Sequence, residues 1–316
     1  MTDLTPTAET IKAAHERIKP FISHTPVMTS ATFDRIFRTS IFFKCENFQK
    51  VGAFKARGAT NAVRSLSPDT LKKGVATHSS GNHAQALSWA AALAGTEAYI
   101  VMPSNSSPVK VDAVKGYGGR ITFCEPNLSS RESTLLKVIA QTGAIEIHPY
   151  DDPRIIAGQA TSAFELIVEI PGLDMIIAPV GGGGLLSGTA LSAFYFAPGC
   201  QVMAAEPEQA DDACRSFASG CLMPSVNPQT IADGLRTSLG TYTFPIIRKH
   251  VSGIVTVSEE SIVRAMKLIW ERMKIIVEPS SAVPMAAIME NKIDCAGKRI
   301  GLILSGGNVD LNNLPW

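Results

Sequence analysis

The chain has 316 residues, of which 45% are hydrophobic and 18% charged, and its formal net charge at pH 7 is +1. This composition excludes a disordered polyelectrolyte, and the near-zero charge gives no overall attraction to nucleic acid or to an anionic membrane. The length is compatible with two lobes built around one cleft. We therefore expect a globular protein whose partner is a small molecule.

The start of the chain and its cysteines indicate the compartment. Residues 1–20 contain acidic side chains and no apolar core, so they do not resemble a secretory signal. No apolar run reaches the roughly 18 residues that a membrane-spanning helix needs. The six cysteines form no C-x-x-C pair, which predicts reduced thiols rather than a disulfide framework or a zinc site. The sequence thus predicts a cytoplasmic protein.

The first segment with possible chemistry is centred on Lys55. This lysine stands between Phe54 and Ala56, with no acidic residue within several positions. A lysine removed from water has a lowered pKa and can attack a carbonyl group as a neutral amine. For any lysine judged alone, however, a solvated position on a helix is the better-supported interpretation.

A strand, a polar turn and a helix follow in order. Val75–His78 reads as the strand, Ser79–Asn82 as the turn and Ala84–Ala94 as the helix. Two hydroxyls and an amide at a helix N-terminus suit a carboxylate ligand. Helix capping explains Ser80 or Asn82 singly, but not the density of polar groups in this turn.

The middle of the chain continues the alternation of strands and helices. Ala98–Met102 and Arg120–Phe123 are predicted strands, separated by a helix near Val109–Gly116. Strands alternating with helices predict an α/β fold with parallel sheets. In such sheets, ligands bind beyond the carboxyl ends of the strands.

The same strand–turn–helix unit returns with glycine in the turn. Met175–Val180 is the strand, Gly181–Gly184 the turn and Leu185–Phe196 the helix. Glycines let backbone N–H groups converge on an anion, and the absence of a P-loop Lys-Ser/Thr ending leaves a cradle for one phosphate group. A flexible turn is the alternative. A third unit, Arg299–Leu304 followed by Ser305–Asn308, places a hydroxyl at another strand end.

Taken together, these segments resemble the fold-type II pyridoxal-phosphate (PLP) enzymes, which share the architecture of the tryptophan synthase β subunit, and in particular their serine/threonine dehydratase and serine racemase branch. The resemblance implies two open parallel-sheet lobes with the cofactor in the cleft between them. The motifs that carry it are Phe54–Ala59, Ser79–His83, Ile156–Gln159, Gly181–Gly184, Ala205–Pro207, Ile231–Gly234, Glu278–Pro279 and Ser305–Asp310.

The resemblance implies a role for each matching residue. Lys55 would form the Schiff base with PLP and act as one catalytic residue, and Ser80 would act on the opposite face of the substrate. Cofactor contacts are implied for Phe54, Lys55, Asn82, Gly181, Gly182, Gly183, Gly184, Leu185 and Ser305. Substrate contacts are implied for Ser79, Ser80, Asn82, His83 and Arg131.

The resemblance also implies a divalent cation, for which Mg²⁺ is the first expectation and Ca²⁺ or Mn²⁺ are alternatives. Its ligands would be Glu206, the carbonyl of Ala210, and Asp212, because oxygen ligands suit hard cations. Composition alone would make this segment an acidic surface loop.

Several segments look most like 3-hydroxyaspartate dehydratases (ammonia-lyases). They are Val51–Lys55, Thr77–Ser80, His148–Tyr150 and Glu278–Pro284. A second substrate carboxylate would explain Arg131, since arginine binds carboxylates with two parallel hydrogen bonds. The expected reaction is the conversion of 3-hydroxyaspartate to oxaloacetate and ammonia through iminosuccinate. The alternatives are a serine racemase or L-serine or L-threonine dehydratase and, more distantly, a catalytically silent ligand-binding homologue.

The implied organisation is a small mobile domain of residues 74–147 inserted into a large PLP-binding domain of residues 1–73 and 148–316. The same resemblance predicts a homodimer.

Overall fold

In the computed structural model, which describes residues 4–316, strands and helices alternate along most of the chain. The strands are β1 (Val27–Met28), β2 (Ser40–Cys45), β3 (Val75–His78), β4 (Ala98–Pro103), β5 (Arg120–Cys124), β6 (Ile145–Glu146), β7 (Met175–Pro179), β8 (Gln201–Pro207), β9 (Gly253–Val257) and β10 (Arg299–Leu304). The helices are α1 (Ala8–Ile18), α2 (Ala31–Phe37), α3 (Lys55–Arg64), α4 (Pro68–Leu71), α5 (Asn82–Ala94), α6 (Pro108–Gly116), α7 (Leu128–Thr142), α8 (Pro153–Glu169), α9 (Gly184–Phe196), α10 (Asp212–Ser219), α11 (Thr243–His250), α12 (Glu259–Met273) and α13 (Pro279–Met289).

The strands form two sheets. The larger has the order β1-β2-β10-β7-β8-β9 and the smaller the order β5-β4-β3-β6. All pairings are parallel except that of β1 with β2. In the centre of the larger sheet, Leu302 pairs with Phe43 on one side and with Ile177 on the other. The predicted α/β fold with two parallel sheets is confirmed.

Helices cover both faces of each sheet, so the central strands are mostly apolar. Successive residues of β10 point to opposite faces: Leu302 packs in the cluster that includes α12 and α13, and Ile303 packs in the cluster that includes α8 and α9. In the smaller sheet, Val75 and Ala76 divide between two clusters in the same way.

Helix α3 lies between the smaller sheet and helix α8. Its residues Ala56 and Ala59 belong to the same buried cluster as Val75 of β3. On its other side, α3 approaches α8 so closely that a Cβ at Gly158 would lie 2.6 Å from the Cα of Gly58. Lys55, the first residue of α3, is thereby held between the two sheets.

A buried network of ion pairs joins α3 to strand β2, to the residue that follows it and to helix α8. The Arg57 guanidinium, which is fully buried, donates to both carboxylate oxygens of Glu46 at 2.7 and 2.9 Å. It also donates to both oxygens of Glu165 at 2.8 and 2.7 Å, and Lys44 Nζ lies 2.8 Å from Glu165. Two positive and two negative side chains therefore neutralise one another in the protein interior. A folded protein can bury charged groups when they are paired in this way.

The strands of the smaller sheet all lie between residues 75 and 146, inside the range 74–147 predicted for the small domain. Helix α3 packs on that sheet although its residues precede 74. The division into domains and the mobility of the smaller one stay predictions.

Two sequence predictions concern cysteines and membrane segments. All six cysteines are free, as predicted. Over the part of the chain that the structure describes, no helix is long and apolar enough to cross a membrane.

Candidate active site

The carboxyl ends of β3, β7 and β10 open into one cavity of about 660 Å³. Its wall combines groups from both sheets, as expected where parallel strands end. Every predicted cofactor and substrate residue lines it: Phe54, Lys55, Ser79, Ser80, Asn82, His83, Arg131, Gly181, Gly182, Gly183, Gly184, Leu185 and Ser305. The structure thus brings together residues as far apart in the chain as Phe54 and Ser305, although their individual roles stay predictions.

Lys55 enters the cavity from the start of α3. Its Nζ donates to the carbonyl of Pro149 at 2.7 Å and lies 5.2 Å from the centre of the Phe54 ring. Burial lowers the pKa of Lys55 from 10.5 to about 8, and the negative charge of Glu278 opposes this shift. A larger fraction of this amine is therefore neutral near physiological pH than for an ordinary lysine, and the neutral form is the one that attacks an aldehyde.

The glycine turn is shaped by close packing against Tyr150. A Cβ on Gly182 would lie 2.3 Å from the Tyr150 ring, and one on Gly184 would lie 3.0 Å from its Cβ. Gly183 has φ +89°, a left-handed conformation that favours glycine. As in any helix, the first-turn amides of α9 have no intrahelical acceptor, so an anion at this end of the cavity would meet backbone donors.

Asp151, next to Tyr150, ties this loop to α11. Its carboxylate accepts the amides of Thr241 at 2.8 Å, Tyr242 at 2.7 Å and Thr243 at 3.2 Å, at the beginning of that helix. A carboxylate is favourable at a helix N-terminus, because the helix dipole is positive there. The hydrogen bonds of Asp151 thus fix the position of the neighbouring Tyr150 against the glycine turn.

Asn82 is held in a network with Glu278 and Asn308. The Asn82 amide donates to both carboxylate oxygens of Glu278 at 3.0 and 3.1 Å, and its oxygen accepts from Asn308 at 2.9 Å. The Asn308 backbone amide donates to Glu278 at 3.2 Å. Glu278 is only 4% exposed, and burial raises its pKa from 4.5 to about 7. The Asn82 amide, which is predicted to contact the cofactor, is therefore hydrogen-bonded to a carboxyl group whose pKa is close to neutral pH.

Ser305 follows β10 and is buried beside a second hydroxyl. Its Oγ lies 3.1 Å from the Oγ of Ser281, which donates to the carbonyl of Gly306 at 2.6 Å. Both serines are at most 2% exposed. The group that Ser305 offers to a ligand is consequently a neutral hydroxyl.

The turn after β3 presents Ser79 and Ser80 as half-buried residues of the cavity wall. The His83 imidazole, by contrast, is 2% exposed, and its Nε2 lies 3.1 Å from the carbonyl of Ile147. Burial lowers the pKa of His83 well below its usual value, so the ring is neutral. What His83 can offer to a substrate carboxylate is its backbone amide in the first turn of α5.

The smaller sheet also contributes Arg131 from the first turn of α7. Its Nε is buried and has no hydrogen-bond partner among residues 4–316. The pKa of nearby His78 falls to about 4, mainly through burial and further through the positive charge of Arg131. Arg131 is accordingly a cation in the cavity wall, and its Nε–H has no acceptor among the described residues.

Sequence reasoning assigned no role to four other residues that line the cavity: Lys110, His148, Tyr150 and Glu278. The dipeptide Glu278-Pro279 carried a signal, since proline at the first position marks a helix start and α13 begins there. Its contact with Asn82 spans 196 positions, which no local pattern encodes.

The predicted cation ligands lie outside this cavity. Glu206 is 1% exposed and accepts the amides of Ala213 at 3.2 Å and Cys214 at 2.5 Å. Both carboxylate oxygens of Asp212 are buried without a hydrogen-bond partner among the described residues. No cluster of three or more His, Cys, Asp or Glu side chains suited to a metal occurs within residues 4–316. A cation here would have two carboxylates and the Ala210 carbonyl as its protein ligands.

Comparison with known proteins agrees with this geometry. The model of a family described as "Pyridoxal-phosphate dependent enzyme" matches residues 18–306. The beta-hydroxyaspartate dehydratase of Paracoccus denitrificans is 55% identical over 98% of this chain and 99% of its own. The crystal structure of serine racemase from Dictyostelium discoideum has a TM-score of 0.93 at 48% identity, covering 98% of this chain and 100% of that one. The structure of maize serine racemase has a TM-score of 0.96 at 43% identity, covering 98% and 95%.

Proposed function

The chain belongs to the family of pyridoxal-phosphate-dependent enzymes, and we propose that it removes water from 3-hydroxyaspartate to give oxaloacetate and ammonia. The observation that carries this proposal is Arg131, which lines the same cavity as Lys55 and the Ser79–His83 segment and whose buried Nε has no hydrogen-bond partner among the described residues. A substrate with two carboxylates needs two anion sites beside the reacting carbon. Likeness to a beta-hydroxyaspartate dehydratase over nearly the full length supports the same substrate.

The residues present fit PLP. A lysine amine with a lowered pKa, a glycine turn at a helix N-terminus and a buried serine hydroxyl lie in one cavity. They match the aldehyde, the phosphate and the ring nitrogen of the cofactor, respectively. When bound, PLP withdraws electrons from the substrate Cα and so makes the Cα proton acidic.

In the proposed reaction, the Lys55 amine accepts the Cα proton on one face of the substrate. The first-turn amides of α5 and the hydroxyls of Ser79 and Ser80 hold the α-carboxylate, and Arg131 holds the distal one. The Cβ hydroxyl then departs, and together with the proton that Lys55 accepted it makes up one molecule of water. The released product tautomerises to iminosuccinate, which water hydrolyses to oxaloacetate and ammonia. The neutral hydroxyl of Ser305 supports the ring nitrogen less strongly than a carboxylate would, and this favours elimination over transamination.

A second candidate function is serine racemase or L-serine or L-threonine dehydratase activity. Ser80 favours it, because a hydroxyl in the cavity wall could return a proton to the face of Cα that Lys55 does not reach. Likeness to a serine racemase of known structure points the same way. A catalytically silent ligand-binding homologue is the least supported alternative, since such a protein has no need of a lysine with a lowered pKa.

The deciding experiment is a substrate panel of all 3-hydroxyaspartate isomers, both serine enantiomers and L-threonine, with oxaloacetate, pyruvate, 2-oxobutyrate and ammonia as readouts. We expect at least one 3-hydroxyaspartate isomer to have the highest kcat/KM. Faster turnover of serine or threonine than of every isomer would overturn the proposal. Chiral analysis of the remaining amino acid detects racemisation separately.

We also propose a divalent cation, Mg²⁺ in the first instance and Ca²⁺ or Mn²⁺ as alternatives, held by Glu206, the Ala210 carbonyl and Asp212. The support is the pair of buried Asp212 oxygens without hydrogen-bond donors, since a buried charge needs a partner. Treatment with EDTA should lower the thermal midpoint, added Mg²⁺ should restore it, and Asp212→Asn should remove the response to both. An unchanged midpoint in the wild type would contradict the site.

The homodimer, the cytoplasmic location and the mobile domain of residues 74–147 complete the proposal. Sedimentation of the purified protein and hydrogen exchange with and without substrate would test the first and the last.

A further inference from the structure

At the mouth of the cavity, one ion pair joins its two sides. Lys110 Nζ, in the first turn of α6, contacts Oδ2 of Asp233, in the loop that precedes α11. Both residues line the cavity, and their side chains are 31% and 43% exposed. The pair is therefore reachable by a ligand that enters from solvent.

Stability does not explain why Lys110 is placed there. A half-exposed ion pair contributes little to folding, because solvent screens it. A lysine in the first turn of a helix is also disfavoured, because the helix dipole is positive at that end. Lys110 needs an anion, and Asp233 provides it from the other side of the cavity.

The pair lines the same cavity as the polar turn Ser79–Asn82. Burial is the main cause of the raised pKa of Glu278, but the charge of Asp233 raises it further and that of Lys110 opposes the increase. Glu278 in turn accepts two hydrogen bonds from Asn82, at the end of the Ser79–Asn82 turn. A substrate anion bound at the Ser79–Asn82 turn would therefore lie in the same cavity as Lys110.

Asp233 is itself a carboxylate, so a second carboxylate in the cavity would compete with it for the same cation. We propose that Lys110 is a specificity-determining residue, which exchanges Asp233 for the distal carboxylate of a dicarboxylic substrate. This inference rests on the proposed function and deepens it. A monocarboxylic substrate such as serine brings no competing anion, so it leaves Lys110 on Asp233. Lys110 and Arg131 together then select for the dicarboxylate.

The test uses the holoenzyme and three variants: Lys110→Met, Asp233→Asn and the control Lys115→Met. Lys115 is exposed, lies on the same helix outside the cavity, and its substitution removes the same charge. In Lys110→Met we expect kcat/KM for 3-hydroxyaspartate to fall about tenfold to hundredfold, mainly through KM, as for loss of a charged hydrogen bond. In Lys110→Met, kcat/KM for serine should stay within about threefold of the wild-type value. In Lys115→Met, kcat/KM should stay within about threefold for both serine and 3-hydroxyaspartate.

Binding of an unreactive dicarboxylate provides a readout that does not depend on turnover. Succinate should bind about tenfold more weakly to Lys110→Met and more tightly to Asp233→Asn, while propionate binding changes little in either. Equal losses for succinate and propionate, or weaker succinate binding in Asp233→Asn, would overturn the inference, because the pair would then act only as a structural tie.

The two proposals fail in different ways. If the wild type turns over serine but no 3-hydroxyaspartate isomer, while succinate binding still depends on Lys110, the proposed function is wrong and the inference stands. If 3-hydroxyaspartate is the best substrate and Lys110→Met changes neither its KM nor succinate binding, the inference alone is wrong.

Discussion

Lys55 and Arg57 are two positions apart on helix α3, but the pKa of Lys55 is lowered and that of Arg57 is raised. Arg57 faces two carboxylates at 2.7–2.9 Å, and these partners raise its pKa despite complete burial. Lys55 makes its direct contacts with the carbonyl of Pro149 and the face of Phe54, and burial lowers its pKa to about 8 although the charge of Glu278 opposes this shift. Of the two cations, Arg57 has carboxylates within hydrogen-bonding distance, whereas the hydrogen bond of Lys55 goes to a neutral carbonyl. The presence of a partner therefore separates the cation that supports the fold from the one that is available for chemistry.

Two buried carboxylates repeat this contrast. Glu165 accepts from Arg57 and Lys44, and these cations lower its pKa to about 2 although burial opposes them. Glu278 accepts only from the neutral donors of Asn82 and Asn308, and burial raises its pKa to about 7. Arg57 and Glu165 therefore stay charged at every physiological pH, whereas Lys55 and Glu278 change protonation near neutrality.

The largest effect is expected from the unpaired cation. Lys55→Ala should lower kcat/KM by at least about 10³-fold, because it removes both the attachment of the cofactor and the group that takes the proton. Its free energy of unfolding should stay close to that of the wild type, since no ion pair is broken. The measurements are turnover, the visible absorption of lysine-bound PLP, and denaturant unfolding.

Lys72→Ala is the matched control, because Lys72 is exposed and lies outside the cavity. It should change neither turnover nor the visible spectrum. Retention of the visible absorption in Lys55→Ala would show that another amine holds the cofactor.

Substitution of Arg57 should have the opposite effects from substitution of Lys55: a loss of stability without a loss of PLP binding. Arg57→Met leaves Glu46 and Glu165 buried with one lysine between them, so we expect the free energy of unfolding to fall by about 3–5 kcal/mol. Protein that remains folded should still bind PLP, since Arg57 does not line the cavity. Urea denaturation of the apoenzyme measures the first effect and the visible spectrum the second. A loss below about 1 kcal/mol, which is typical of an exposed pair, would contradict the distinction.

The sequence predicted the fold well because its signals are local. Each polar turn follows an apolar strand, as at β3 and β7, so the sequence predicted a ligand site at the carboxyl ends of these strands. Motif resemblance then identified residues of the cavity wall such as Lys55 and Ser305. Both steps used patterns that are complete within about ten residues of the chain.

What the sequence could not predict are partnerships between distant segments. Arg57 meets Glu165 across 108 positions, and Lys110 meets Asp233 across 123. Nothing near Arg57 in the chain indicates that it is buried, and nothing near Lys110 indicates that it is not simply a solvated lysine. Since the partner decides the pKa of a buried group, the electrostatic contrast became visible only in three dimensions.

Glu278 allows the contrast to be tested through stability. Its folded-state pKa of about 7 is above the ordinary value of 4.5, so its contribution is fully present below pH 4.5 and is lost as pH rises to about 7. Relative to Glu278→Gln, which cannot titrate, the wild type should lose about 1.4 kcal/mol per pH unit over that interval. Above pH 7 the difference should be constant. Denaturant unfolding at half-unit steps of pH measures it, and a difference independent of pH would mean that Glu278 stays ionised.

The smallest effect concerns the rate at which the apoenzyme takes up PLP. Only the neutral Lys55 amine attacks the aldehyde, and its pKa is about 8 rather than 10.5. The uptake rate should therefore rise about tenfold per pH unit below pH 8 and level off above it. Stopped-flow absorbance after mixing apoenzyme with PLP gives the rate, and N-acetyl-lysine amide under the same conditions corrects for titration of PLP itself. A rate that continues to rise to pH 10 would show that Lys55 titrates like an exposed lysine. In that case the lack of a counter-ion would not distinguish Lys55 from the other lysines of the chain.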